Sequence, residues 1–411
     1  MTMSSVRSSA GSAPVDLPIT RTHPFDPAPQ LAALREESPL CRLRYPDGHV
    51  GWLATSYDLA RRVLVDSRFS IKPMRPPVGD PVTTAEVQEV ERAQPEAEGA
   101  LILLDPPQHT KIRRLQAAYF TVQRIGEHRA GLERLVGDQL DAMERQGSPV
   151  DFVRAFAAPV PGLAICAMLG VPGSDREHFE RPTQVSEDPR STAEEQIAAN
   201  NEFRAYSHGV IQRKRAEPGD DLLSEVIATS DLSDAELAGL ALQLFSAGHE
   251  TTVSMLALSL LALLGDRRRW EQLCADPSLV DGAVEELLRY LTIVQVGAFT
   301  RTATEDVELD GTVVKAGEGI TVSLSAANRD PSKFPDPDLL DLARDASGHV
   351  AFGHGRHICL GQHFARLELQ VALAALTRRF PTLRLAVPSE EVPMYPSEQF
   401  LYGVHELPVA W

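Results

Sequence analysis

Three stretches of this sequence predict a mainly α fold with small β-sheets (α+β). Residues 233–265 are apolar on nearly every helical face, two short alternating segments turn at Pro-Asp-Gly and Asp-Gly, and helical spacing dominates the chain between them. The chain has 411 residues, 43% of them hydrophobic, enough for a substantial core.

In chain order, residues 1–30 are rich in Ser, Ala and Pro and read as lying loosely on the surface. Residues 1–20 are taken as a flexible segment and 21–411 as a single domain. "CRLRYPDGHVGWLATS" alternates around its turn as a hairpin does. Segments 70–100 and 168–200, rich in Pro, charge and small residues, read as irregular excursions of the kind that form lids. "DPPQHTKIRRL" opens a helix behind two prolines and puts His109 and Arg113 four apart on one face. The best helix starts at Ser233, with Glu236 completing a capping box, and runs to Gly265. At ~1.5 Å per residue it spans roughly 48 Å and should cross the middle of the molecule. "VELDGTVV" is a second hairpin turning at Asp310-Gly311, with "GITVSL" a further strand. "LGQHFARLELQVALAALTRRF" repeats Phe364, Leu367 and Val371 at helical spacing.

Composition narrows the function. Basic residues number 40 and acidic residues 57, so the net charge of −17 argues against a general binder of nucleic acid or acidic membrane. The four cysteines, Cys41, Cys166, Cys274 and Cys359, form no CxxC pair and indicate no disulfide framework or zinc ribbon. The start carries no apolar signal core. The longest apolar run, 253–265, is shorter than the ~20 residues a bilayer needs, so a soluble, cytoplasmic protein is expected.

Two places carry chemistry. "SAGHETT" interrupts the apolar helix at 246–252. An unpaired carboxylate there is costly, so Glu250 either pairs with a cation or, beside Thr251 and the small residues Ala247 and Gly248, relays protons into a pocket. "AFGHGRHICLGQHFARLE" holds Cys359 ahead of a helix start, a position that favours thiolate, among Gly353, Gly355 and Gly361. Zinc with His354, His357 and His363, a nucleophilic thiol, and a haem thiolate compete. The haem reading requires cations for two propionates. His109, Arg113 and Arg301 are candidates, although each alone would read as a solvated base.

Taken together, these stretches resemble the cytochrome P450 superfamily, the haem–thiolate monooxygenases. "AGHETT" matches the oxygen-activation motif and "EELLR" holds Glu-x-x-Arg as Glu286 and Arg289. "ANRDPSKFPDPDLLDLAR" matches the meander, and "FGHGRHICLG" matches the cysteine signature at every specified position. The resemblance covers about residues 20–411 and is nearest to soluble actinobacterial hydroxylases of natural products and xenobiotics. It implies the P450 fold, with the long helix over haem b, Cys359 as the axial ligand of the iron, and His109, Arg113, Arg301 and His357 on the propionates. It implies that Phe352 shields the sulfur, and that Ala247, Gly248 and Gly361 border the haem. Glu250 and Thr251 serve oxygen activation, Thr252 less critically. Glu286, Arg289 and Arg344 form a buried structural triad.

The implied reaction inserts one oxygen atom from O₂ into a C–H bond or alkene. Two electrons come from NAD(P)H through a ferredoxin reductase and a ferredoxin. The ferredoxin would dock on Arg113, Arg114, Arg356 and Arg366. A monomer is implied, and a non-catalytic haem sensor is the alternative, one that would have no need of Glu250 and Thr251. Candidate pocket walls are Leu101-Ile102, Leu244, Ala247, Val294-Gln295-Val296 and Phe400-Leu401, which suit a bulky, largely apolar polyketide, macrolide, terpenoid or xenobiotic.

Overall fold

The computed structural model describes residues 13–45, 48–71, 101–187, 191–295, 300–397, 399 and 401–411. The chain forms two compact units: one of 1–92, 282–359 and 394–402, the other of 93–281, 360–393 and 403–411. The expected excursion at 70–100 and the pocket candidates Val296 and Phe400 lie outside the described residues, the first from residue 72 onward.

The first unit is built on a six-stranded sheet ordered Val15–Asp16, Leu40–Arg44, Val50–Ala54, Gly319–Val322, Arg301–Ala303, Phe69–Ser70. The first hairpin pairs Leu40 with Ala54 and Leu43 with Gly51. Gly51 is required there, since a Cβ would stand 2.5 Å from the Gly319 carbonyl oxygen of the neighbouring parallel strand. The second hairpin, Val307–Leu309 with Thr312–Val314, turns through Asp310 at φ 51° and Gly311 at φ 79°. Positive φ at both central residues matches the right-handed strand twist. Helix Tyr57–Val65, capped by Ser56, packs its Leu59, Ala60, Val63 and Leu64 face against this sheet.

The second unit is helical around Asp234–Leu264, 31 residues with the Ser233/Glu236 capping box in place and Gly265 as the C-cap. From Thr252 to Leu264 every residue is buried. By length and composition this helix could cross a membrane, but most of it is buried inside the protein. A small sheet, Arg384–Leu385, Pro408–Ala410, Val150–Asp151, closes the unit's end.

Residues 168–200 differ from the expected irregular excursion. Helix Pro159–Leu169 ends at Gly170, which adopts φ 65°, and helices Glu177–Glu187 and Ala193–Ala216 follow. Two causes outweigh the polar composition. Thr192 and Glu195 form a capping box, and Phe179 is buried with its ring 5.3 Å from Phe203 and 4.9 Å from Phe245.

Helix Gln362–Arg379 buries Phe364, Leu367, Val371 and also Glu368, whose exposure is 1% and whose Oε1 has no hydrogen-bond partner. Burial pushes its carboxyl well above the ordinary value, so the folded protein keeps a proton that the unfolded chain releases. A carboxyl raised on folding costs stability as pH climbs above its unfolded value. Glu368→Gln should therefore match the wild type near pH 4 and gain on it by about 1 kcal/mol per pH unit toward neutrality. Urea unfolding of both proteins across that range is the check; parallel pH profiles would refute an uncharged Glu368.

Candidate active site

Three of the four cysteines are shielded to different degrees. Burial pushes the Cys41 thiol up to about 11, the Cys166 thiol up to about 12, and raises that of Cys274. Cys359 is the exposed one. Its loop is closed by backbone bonds: the Cys359 N–H donates to the Phe352 carbonyl at 2.9 Å, Gly353 to Val350 at 2.8 Å, and Ile358 to Gly355 at 3.1 Å. Gly353 and Gly355 adopt φ 72° and 74°, a region other residues enter at a cost. Gly355 also lies against helix Tyr57–Val65, where a Cβ would come 2.4 Å from the Leu64 carbonyl oxygen. Burial, with Arg61 adding to it, lowers the pKa of His354, whose Nε2 receives the Arg61 Nε–H at 3.3 Å.

The first unit also holds Arg301, 3% exposed in the strand Arg301–Ala303, and the partly exposed Phe352 and His357. Behind the loop lies a buried ionic network. Glu286 accepts from Arg289 Nε at 2.6 Å and Nη2 at 2.8 Å, from Arg344 Nε at 3.1 Å and from the Asp341 N–H at 3.1 Å. Arg289 Nη1 donates to the carbonyls of Asn328 and Pro337, each at 2.9 Å, and Nη2 also to Leu339 at 3.3 Å. All five guanidinium protons are thereby accounted for. Asn328 is a positioning residue that the sequence reading missed. Its Nδ2 donates to Thr292 Oγ1 at 2.8 Å, and its Oδ1 receives the Val350 N–H at 2.7 Å, where the cysteine loop begins. Val294 bridges to Leu401, and Gln295 Nε2 donates to the Ser397 and Gln399 carbonyls.

In the second unit His109 is 3% exposed on helix Gln108–Ala117, with Arg113 partly exposed one turn on. Ile102, in the turn Leu101–Leu103, donates its N–H to Gln243 Oε1 of the central helix at 3.3 Å. That helix keeps one face open: Ala247 is exposed and Leu244 and Thr251 partly so, while Phe245, His249 and Thr252 are buried. Thr251 Oγ1 donates to the Ala247 carbonyl at 2.6 Å, and Glu250 Oε1 stands 3.2 Å from His249 Nδ1. The space left by Gly248 is taken by Ile165, whose Cδ1 would lie 2.7 Å from a Cβ there.

Among the described residues no three His, Cys, Asp or Glu side chains converge as metal ligands. The exposed thiol on its glycine-turned loop fits a metal held through a single thiolate, and the central helix by itself offers an apolar face with one hydroxyl.

Comparison with known proteins gives the same answer. A family model described as Cytochrome P450 matches residues 176–408. The chain is 44% identical over 401 residues to Cytochrome P450 105C1 of Streptomyces sp, covering 97% of this chain and 99% of that one. It belongs to the cytochrome P450 family.

This P450 is also 39% identical to the 20-oxo-5-O-mycaminosyltylactone 23-monooxygenase of Streptomyces fradiae, over 98% of this chain and 94% of the relative. The crystal structure of CYP105P1 in complex with filipin I superposes with a TM-score of 0.89 at 39% identity, covering 97% of this chain and 99% of that one. The fold is therefore that of the P450s and the enzyme is a monooxygenase of a haem-dependent family.

Gly355→Ala should cost about 1–3 kcal/mol, through its positive φ and the collision with the Leu64 carbonyl, and should lower haem retention. Thermal unfolding with the absorbance ratio of haem to protein measures both. An unchanged Tm and ratio would mean that the loop does not need this close approach.

Proposed function

We propose that this P450 uses O₂ to oxygenate a C–H bond or an alkene of a bulky, largely apolar small molecule of the macrolide, polyketide, terpenoid or xenobiotic kind. The observation that carries the proposal is the exposed Cys359 on its glycine-turned loop, in a chain whose central helix keeps an acid and a hydroxyl beside an open apolar face. Haem b, when bound, supplies the activation of O₂, with electron donation from a thiolate.

The chain's own residues divide the remaining work. Cys359 would hold the iron through its sulfur, Phe352 would shield that sulfur, and Gly361 would leave the backbone room beside it. His109, Arg113, Arg301 and His357 take the propionates, a task suited to charge-assisted hydrogen bonds. The small, exposed Ala247 would leave room for the ring, whereas Gly248 is small because Ile165 packs against it. Glu250 brings protons from solvent, and the Thr251 hydroxyl holds one at the point of use. While that hydroxyl donates to the Ala247 carbonyl, its oxygen is left able to accept a hydrogen bond from a neighbour. Glu286, Arg289 and Arg344 fix the cysteine side without touching substrate.

Ile102, Leu244, Ala247, Val294 and Leu401 supply apolar wall, with Val296 and Phe400 on the sequence's evidence. Relatives named for a tylactone and crystallised with filipin I support a large substrate. Electrons come from NAD(P)H through a ferredoxin reductase and a ferredoxin docking on Arg113, Arg114, Arg356 and Arg366. The enzyme acts as a cytoplasmic monomer, with residues 21–411 as one domain.

Cys359→Ser should abolish the red-shifted Soret band of the reduced, carbon monoxide-bound protein. Retention of that band would remove Cys359 as the ligand. For the substrate, absorbance titration of the ferric enzyme with macrolides, polyketides, terpenoids and fatty acids should give a low- to high-spin shift with one of the first three classes. A shift with fatty acids alone would overturn the assignment of substrate class.

A further inference from the structure

One member of the central-helix motif, His249, has no role in this account, and its surroundings give it one. It is 4% exposed, and its ring stacks 5.2 Å from that of Phe245. Nδ1 lies 3.2 Å from Glu250 Oε1. Nε2 lies 3.1 Å from the Ala158 carbonyl oxygen and 3.6 Å from Glu180 Oε1. Glu180 is itself paired with Arg176 Nε at 2.7 Å. Gly162 makes the arrangement possible: a Cβ there would come 2.5 Å from Arg176 Cδ and 3.4 Å from His249 Cδ2. The charged groups around the ring are thus Glu250 from its own helix, and Glu180 and Arg176 from helix Glu177–Glu187 and the turn before it. On the helices packed against this one, Cys166 of Pro159–Leu169 is raised to about 12 by burial and Tyr206 of Ala193–Ala216 donates to Asp175.

Counting donors decides the proton content. A neutral imidazole has one N–H and here faces two acceptors. The Ala158 carbonyl can only accept. Its helical donor, the Gly162 N–H, is stretched to 3.5 Å, so Nε2–H belongs on it. Nδ1 must then either donate a second proton to the Glu250 carboxylate or accept one from a Glu250 carboxyl. In both forms the pair holds one proton beyond a neutral imidazole and a carboxylate. The Arg176–Glu180 pair is neutral as a unit, so moving that proton across 3.2 Å leaves the buried cluster without net charge.

We propose that His249 is a positioning residue that stores a proton for Glu250, a role resting on the reading of Glu250 and Thr251 as the proton-delivery pair. In the step, the Nδ1–H bond of the imidazolium breaks and an O–H bond forms on Glu250. Glu250 passes that proton to the oxygen atom that leaves as water, reduced by the two electrons from NAD(P)H, and then relays the second proton of that water from solvent. A third proton taken up from solvent by Glu250 is returned to Nδ1. The side-chain exposures suit that direction, 18% for Glu250 against 5% for His249.

The test uses the substrate-free holoenzyme, reduced by NAD(P)H through a ferredoxin and its reductase, as wild type, His249→Gln, Glu250→Gln and the double variant. Glutamine can donate a hydrogen bond but cannot store the proton. His249→Gln should slow NAD(P)H oxidation about 10-fold and raise the solvent deuterium isotope effect. Glu250→Gln should slow it at least as much, and the double variant should be no slower than Glu250→Gln. If Glu250→Gln behaves as wild type, the delivery-pair reading falls. If only His249→Gln does, or if the two losses multiply, this proposal falls and that reading stands.

A second measurement does not depend on the variants at His249 folding. In the diamagnetic, carbon monoxide-bound wild type at pH 7.5, nitrogen-15 NMR should find one buried histidine with protons on both ring nitrogens, or infrared spectroscopy should find a protonated carboxyl. Either signal should vanish in Glu250→Gln. A singly protonated His249 beside an ionised Glu250 would overturn the proposal.

Discussion

The guanidinium of Arg289 is the fixed point of the cysteine-bearing unit. Neither it nor Glu286 is exposed at all, and a buried charge persists only where every donor is matched. Arg289 matches its donors with one carboxylate and the carbonyls of Asn328, Pro337 and Leu339, which ties helix Val280–Leu291 to two later segments at once. Asn328, held by its own carbonyl, then presents its side-chain oxygen to the Val350 N–H. From Val350 the backbone bonds run to Gly353, and from Phe352 to Cys359. The position of the thiol therefore descends from an ion pair through four hydrogen-bonded steps. Burying such a pair contributes little net stability, but losing one partner strands a charge at a cost of about 3–5 kcal/mol. That asymmetry excludes other arrangements of the loop.

The central helix meets an opposite requirement. It has to place polar groups in an apolar segment while keeping them free to exchange protons. Its end is secured locally, by Ser233 and Glu236, and its C-terminal half by complete burial. Only the stretch around Glu250 departs from that pattern: Glu250 faces His249, His249 faces the loosened Ala158 carbonyl, and the Thr251 hydroxyl bonds back to the Ala247 carbonyl of its own helix. The Ala158 carbonyl is available because it lies where the π-helical turn Val153–Ala157 gives way to helix Pro159–Leu169, just ahead of Pro159 and Pro161, which carry no N–H.

What could be read from the sequence follows the range of the interactions. The capping box at Ser233 and the turn at Asp310-Gly311 are signals within four residues, and both elements lie where the local chemistry puts them. Residues 168–200 misled because their helices are stabilised by aromatic contacts, Phe179 on Phe203 and Phe245, with partners 24 and 66 positions away. A local polarity count cannot see these. The motif around Cys359 was legible as a pattern, but the way it is held was not. Asn328 reaches 22 residues forward to Val350, and no spacing rule marks it. His249 was visible in the motif, yet its meaning depends on Ala158, 91 residues earlier.

The Thr251 hydroxyl shows how the two requirements are reconciled at one atom. Its bond to the Ala247 carbonyl at 2.6 Å competes with the helix's own ladder and leaves the oxygen's lone pairs directed away from the backbone. A neutral hydrogen bond of this type contributes about 1 kcal/mol net, which is a factor of roughly five in population. Rotation away from Ala247 is therefore a thermal event, whereas rotation of Arg289 away from Glu286 would strand a charge. The same helix fold can hold the cysteine side rigid and the proton side exchangeable because the first is fixed with charge and the second with dipoles. Exchanging those chemistries would lose both properties: an ion pair at residue 251 would not release its proton, and a hydroxyl at residue 289 would not hold the loop.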